Sequence, residues 1–215
     1  MNRFLLTSVI FFTCLNFLWS APKPYICKGE IEFKNGERRE GALSLDYETD
    51  LVRMYNENGT VDTYSPFSIA SLYFYDELLS QPRTFVTLQH SPKNSKISGT
   101  GFYFYELIKV GHMDILRKVN QNVDYRKLAE VPFERRVKQH DEKFSYFIFY
   151  NGKLITLKEF SVSVFPVLKN RMGKTLEDFV TTRNIDINDK LQPLVVVEFI
   201  NAIAEKNHSL QASIN

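Results

Sequence analysis

The chain has 215 residues, with 27 Lys+Arg against 25 Asp+Glu and 44% hydrophobic, 14% aromatic and 24% charged residues. So many apolar residues exclude a disordered chain, and a formal net charge of +2 excludes a strongly electrostatic nucleic-acid binder. Composition alone assigns no chemistry.

The first twenty residues read as a secretory signal peptide. Arg3 precedes an apolar run from Phe4 to Leu18 that only Thr7, Ser8, Thr13 and Asn16 interrupt. Roughly 15 apolar positions fall short of the ~20 that a spanning helix needs, and no basic stop-transfer cluster follows. Cleavage is expected between Ser20 and Ala21. Lipid attachment at Cys14 is the alternative, but Thr13 is not the small residue that bacterial lipidation wants there, and the apolar run continues past the cysteine. The processed chain, with Arg3 removed, carries 26 cations against 25 anions. It also loses Trp19, the only Trp, and keeps one thiol, Cys27, so no intrachain disulfide can form. No integral membrane span is expected after cleavage.

Residues 21–80 read as a meander of five short strands. Alternating residues on either side of Asn35-Gly36 and of Asn58-Gly59 predict two hairpins. Ser65-Pro66-Phe67-Ser68 predicts a single helical turn before a strand from Ile69 to Tyr75. Such an arrangement predicts a small SH3- or Sm-like barrel, or a half-barrel packed on the next segment. Residues 81–157 continue as hairpins: strands near 83–89, 102–110, 113–119, 144–150 and 153–157, the last pair turned by Asn151-Gly152. Between them, 120–143 is a mixed-charge excursion of the kind that usually lies in solvent, and no nucleic-acid partner is expected from it. Residues 158–207 turn helical. Thr156-x-x-Glu159 has capping-box spacing, Pro166 is expected to bend or end the first helix, Thr175–Arg183 gives a second, and Asn188 is expected to cap a third that runs to about Lys206. The tail, 208–215, is expected to be loose. Sheet first and helices last make an α+β architecture.

The residues hold no recognisable catalytic constellation. His90, His112, His140 and His208 are far apart, with no His-Glu-x-x-His and no cysteine pair; Gly99-Thr100-Gly101 lacks the rest of a phosphate loop, and no serine sits in a nucleophile elbow. Adjacent carboxylates such as Asp76-Glu77 and Glu177-Asp178 point apart rather than converge. No catalytic residue, metal ligand or cofactor is therefore assigned, and a non-enzymatic protein is expected. The surplus lies in aromatics: Tyr73-Phe74-Tyr75, Phe102-Tyr103-Phe104-Tyr105 and Phe144 to Tyr150 form three runs. Consecutive aromatics place rings on both faces of a strand, which predicts burial between two packed layers, an apolar ligand cavity or a partner surface. The candidate contact residues are Tyr73, Tyr75, Tyr103, Tyr105 and Tyr146. A cavity lined by Tyr73, Tyr103 and Tyr146 would mark a carrier of a small apolar ligand; a filled interior with an exposed aromatic strip would mark protein contact.

Gly29-Glu30-Ile31, Lys34-Asn35-Gly36 with the Gly41 return, and Tyr64-Ser65-Pro66 leading to Ile69 resemble uncharacterised exported proteins of Bacteroidota-type bacteria. Ala42-Leu43 departs from the Gly-x-Ile that the resemblance would place there. The resemblance implies export, to the periplasm, the cell envelope or the medium, and carries no active-site residue to this chain.

Overall fold

In this computed structural model the described residues are 24–91, 100–120 and 143–212, with the side chains of 207–212 excepted. The signal peptide expected over 1–20, its cleavage point at Ser20 and Ala21, and the body of the 120–143 excursion lie outside them. The architecture is α+β: ten antiparallel strands in one sheet, then helices. The strands are β1 (Cys27–Phe33), β2 (Arg38–Asp46), β3 (Leu51–Tyr55), β4 (Val61–Tyr64), β5 (Ile69–Asp76), β6 (Gln81–His90), β7 (Gly101–Lys109), β8 (Asp114–Val119), β9 (Phe144–Tyr150) and β10 (Lys153–Thr156). Their order is β10-β9-β8-β7-β6-β5-β1-β2-β3-β4. Among the described strands only one pair of neighbours is non-consecutive: β1 to β4 follow one another as a meander, and the chain returns from β4 to lay β5 against β1. The first five strands thus lie in the order β5-β1-β2-β3-β4. The sheet crosses the 80/81 boundary without a break, because β5 and β6 pair from Ser71↔Val86 to Asp76↔Gln81.

Turn chemistry explains the hairpins, though not by one rule. At Asn151-Gly152 both residues have positive φ, 49° and 74°, as a two-residue hairpin turn requires. At the other two Asn-Gly pairs only the glycine does, Gly36 at 85° and Gly59 at 82°. There the chain makes a tight turn followed by a left-handed glycine: Gly36 N–H donates to the Phe33 carbonyl, and Phe33 N–H to Glu37, while the asparagine side chain accepts from Glu37 N–H. Asn56 to Thr60 repeats that pattern. The expected helical turn at Pro66 is a single hydrogen-bonded turn, Ser68 N–H to Ser65 O, followed at once by β5.

The helices are α1 (Leu157–Glu159), a π-helical segment (Phe160–Val164), α2 (Phe165–Met172), α3 (Lys174–Thr182) and α4 (Gln192–Ala212). The capping box forms as the spacing predicts, with Glu159 N–H donating to Thr156 Oγ1 and Thr156 N–H to Glu159 Oε2. Pro166 neither ends nor breaks the helical run. The turn before it widens, with Phe165 N–H reaching back to Phe160 O, and this makes room for a ring that would otherwise press on the carbonyl four residues earlier. The carboxylate that meets the start of the last helix is that of Asp189 rather than the expected Asn188: it accepts from Leu191 N–H and Gln192 N–H. This helix runs to Ala212, past the expected end near Lys206, because no Gly or Pro follows Pro193 to stop it.

Among the described residues two large apolar cores result, beside a small cluster of Val119 and Phe144. The first gathers Ile31, Leu43, Val52, Ile69, Leu72, Phe74, Phe85 and Phe104 inside the N-terminal strands. The second packs Met113, Ile115 and Ile148 of the sheet under Phe160, Leu168, Leu176, Val196, Val197 and Ile200 of the helices. Phe179 stacks on Phe199 with ring centroids 3.8 Å apart, joining α3 to α4. A buried amide latches α4 to the sheet. Met113 N–H donates to Asn201 Oδ1 and Asn201 Nδ2 donates to Met113 O, both at 2.8 Å, so the side chain completes the backbone at the start of β8 as a neighbouring strand would.

Asn201→Ala should therefore lower stability by about 2–4 kcal/mol, because it leaves a buried N–H and a buried C=O without partners. Asn201→Asp should cost at least as much at neutral pH, since its carboxylate faces the Met113 carbonyl. Chemical denaturation of the two variants against the parent measures both effects.

Candidate functional site

Two arrangements of polar side chains stand out, one buried and one open. Pairing register places Phe74, Phe85, Glu106, Arg117 and Ile148 on one face of the sheet, and Tyr73, Tyr75, Tyr103, Tyr105 and Lys118 on the other.

On the first face, between the two cores, lie Asp76, Arg83, Glu106 and Arg117, with relative exposures of 0%, 2%, 4% and 8%. Arg83 donates through Nε and Nη2 to the two oxygens of Glu106, at 2.8 and 2.7 Å. Arg117 donates to the same carboxylate through Nε and Nη2, at 2.7 and 2.9 Å. Arg83 Nη1 also donates to Tyr47 Oη at 2.7 Å and to Asp76 Oδ2 at 3.2 Å. Asp76 Oδ1 accepts from Tyr25 Oη and Leu79 N–H. The guanidinium of Arg117 lies 4.2 Å from the Phe144 ring centre, and that of Arg83 lies 4.9 Å from that of Phe85.

Two cations and two anions balance. Burial alone would raise the Glu106 pKa, but the charge and hydrogen bonds of Arg83, then those of Arg117, overcome it and hold the carboxyl down at about 2. Burial pushes the Tyr47 hydroxyl up to about 12 and raises the Cys27 thiol as well. All three guanidinium nitrogens of Arg83, and Nε and Nη2 of Arg117, donate to protein acceptors, and the adjoining cavity has room for about one water, about 10 Å³. This cluster is structural rather than reactive.

The candidate contact residues do not gather in one place. Tyr73 and Tyr75 stand two residues apart on β5 and are 49% and 47% exposed. Tyr103 is half-buried, and Tyr105 is buried, edge-on to His90 and Phe147 at 6.2 and 5.2 Å. Tyr146 lies on the opposite face, directly across from Arg117, and packs against the helix-covered core. Burial on both strand faces holds for Phe104, Tyr105 and Glu106 of β7 but not for β5, whose Tyr73 and Tyr75 alternate with buried Leu72, Phe74 and Asp76.

Tyr73 borders the open arrangement, a cleft of about 750 Å³ lined by Lys28, Gly29 and Glu30 of β1, Glu40, Gly41 and Ala42 of β2, and Met54, Tyr55, Asn56 and Glu57. Its floor is backbone: Gly29 and Gly41 are directly paired. A β-carbon on Gly29 would collide with the Tyr73 carbonyl and the Phe74 side chain, so glycine there lets β5 come close and sets where the Tyr73 ring emerges. A second cleft of about 530 Å³, between β9 and the start of the helices, contains Tyr146 and Phe147. Tyr73 and Tyr146 thus belong to separate clefts.

Among the described residues no three His, Cys, Asp or Glu side chains gather as a metal site, and no helix is long and apolar enough to cross a membrane. Cys27 is a buried free thiol. Comparison of the chain with protein-family models, curated proteins and solved structures finds no match to any of them.

Glu106→Gln should destabilise the fold by about 3–5 kcal/mol, because both buried guanidinium groups lose their counter-charge. The depressed pKa also fixes the pH dependence. The Glu106 contribution is complete above its ordinary value of 4.5 and is lost as pH falls through about 2. Denaturation measured between neutral pH and about pH 2 should show the parent losing about 3 kcal/mol more than Glu106→Gln over that range.

Proposed function

We propose that this is an exported protein of the periplasm or cell envelope, or a secreted one, that acts without catalysis through protein contacts on the uncovered face of β5, β1 and β2. The observation that carries this reading is the pair of exposed tyrosines, Tyr73 and Tyr75, beside an open cleft on a sheet whose opposite face is spent on two cores. Rigid aromatic rings on a strand lose little conformational entropy on binding and supply large contact area. Export rests on the composition of residues 1–20. A carrier of a small apolar ligand is supported less well. Its tyrosines would have to converge on one cavity, and Tyr73 and Tyr146 lie in different clefts.

A photo-reactive benzophenone side chain at Tyr75 should cross-link a specific protein in cells that naturally make this chain, whereas one at Val162, more open still and on the helical side, should not. Equal yields at the two positions would defeat the contact reading. The exported protein should have the intact mass of residues 21–215 and no Trp emission, because Trp19 is removed. Retained Trp emission would place the cut elsewhere or show that there is none.

A further inference from the structure

The cleft beside Tyr73 has a charge pattern that aromatic packing does not explain. Register places Glu30 directly opposite Glu40 across β1 and β2, and Tyr73 directly opposite Glu30 across β5. Like charges facing each other across a sheet oppose folding. Tyr73, Glu30 and Glu40 thus form one row across the sheet, and Glu57, in the turn after β3, lines the same cleft. The neighbouring row contains Lys28, Ala42 and Tyr55. Three carboxylates therefore share the cleft with one ammonium. The nearest guanidinium outside it, that of Arg38, is divided between Glu30 at 3.4 Å and Glu32 at 3.3 Å. A surface that keeps such an excess over small floor residues is shaped to receive positive charge.

The width of the cleft decides what kind of cation. Tyr73 on β5 and Tyr55 on β3 are three inter-strand steps apart, about 14 Å. One ammonium must lie within about 6 Å of a ring centre to gain from it, so a single small cation cannot use both rings. An extended peptide, whose side chains alternate across roughly that width, can. We propose that the cleft receives an extended, Lys- or Arg-bearing segment of a partner protein, its cations over Glu30, Glu40 and Glu57 and its body between Tyr73 and Tyr55. This rests on the contact reading above and names the partner's chemistry.

The test uses the mature full-length chain and two labelled short peptides, one alternating Lys and Thr, the other Glu and Thr, followed by fluorescence anisotropy. The Lys peptide should bind, weaken at least about tenfold between roughly 20 and 300 mM salt, and weaken about tenfold in the double variant Glu30→Gln, Glu40→Gln. The Glu peptide should not bind. Circular dichroism should show that double variant folded at the assay temperature, since besides the like-charge pair it removes only the exposed contact of Glu30 with Arg38, so lost binding cannot be ascribed to lost fold. Tyr73→Ala should also weaken the Lys peptide. Equal binding of the two peptides, unchanged binding in the double variant, or displacement of the peptide by an equal concentration of spermidine would overturn the cationic segment. If any of these occurs while the benzophenone at Tyr75 still captures its partner, the contact face stands and only the partner's charge is wrong. If neither peptide binds and Tyr75 captures nothing, both fall.

Discussion

The doubly clamped carboxylate of Glu106 is the constraint on which the rest of the molecule depends. Glu106 sits on β7 between Arg83 of β6 and Arg117 of β8, and a slip of one residue in either ladder would turn one guanidinium to the other face of the sheet. It would leave buried charges unpaired. Apolar alternation fixes which face is buried, but many apolar residues can exchange places at small cost, whereas a bidentate ion pair cannot. The net stability from burying four charges is small, since desolvation offsets most of the attraction. What the network supplies is register, and register here joins two cores that share one face.

That junction explains the division of the sheet. Helices cover β8 and β9, whereas β1, β2, β3 and β5 curl around their own core. Among the described residues no helix lies over the outer surface of β5, β1 and β2, and the tyrosines of β5 remain open. Gly29 sharpens the effect: because it carries no side chain, β5 lies close against β1 and the Tyr73 ring stands at the border of the cleft rather than over its floor.

Much of this was legible in the sequence, because period-two alternation and Asn-Gly turns are local. The strands and the capping box at Thr156 and Glu159 appear where spacing predicts them. The ion network was not legible. Arg83 and Glu106 are 23 residues apart, and each alternates with neighbours that could as well face inward. A charged residue in such a strand reads as the outward one. Tyr146 illustrates the other loss. Whether it shares a face with Tyr73 depends on every ladder between β5 and β9, including the irregularity between Leu107 and Lys109. One extra residue there reverses the answer. At Pro166 the spacing leaves bending and ending open for a different reason: a helix can widen by one residue in the turn before a proline and continue, and nothing in the local pattern distinguishes widening from termination.

The latch between Asn201 and Met113 joins residues 88 positions apart. The first core is complete once Phe104 has been made, but the second lacks Val196, Val197 and Ile200 until the last part of the chain emerges. During synthesis Met113, Ile115 and Ile148 are therefore covered only by Phe160, Leu168 and Leu176, and part of this apolar strip waits for the last helix. Slow closure of such long-range contacts is the condition under which chains associate wrongly. A truncation that removes α4 would leave that core permanently without Val196, Val197 and Ile200, and the product would be expected to aggregate even though its N-terminal strands can still pair.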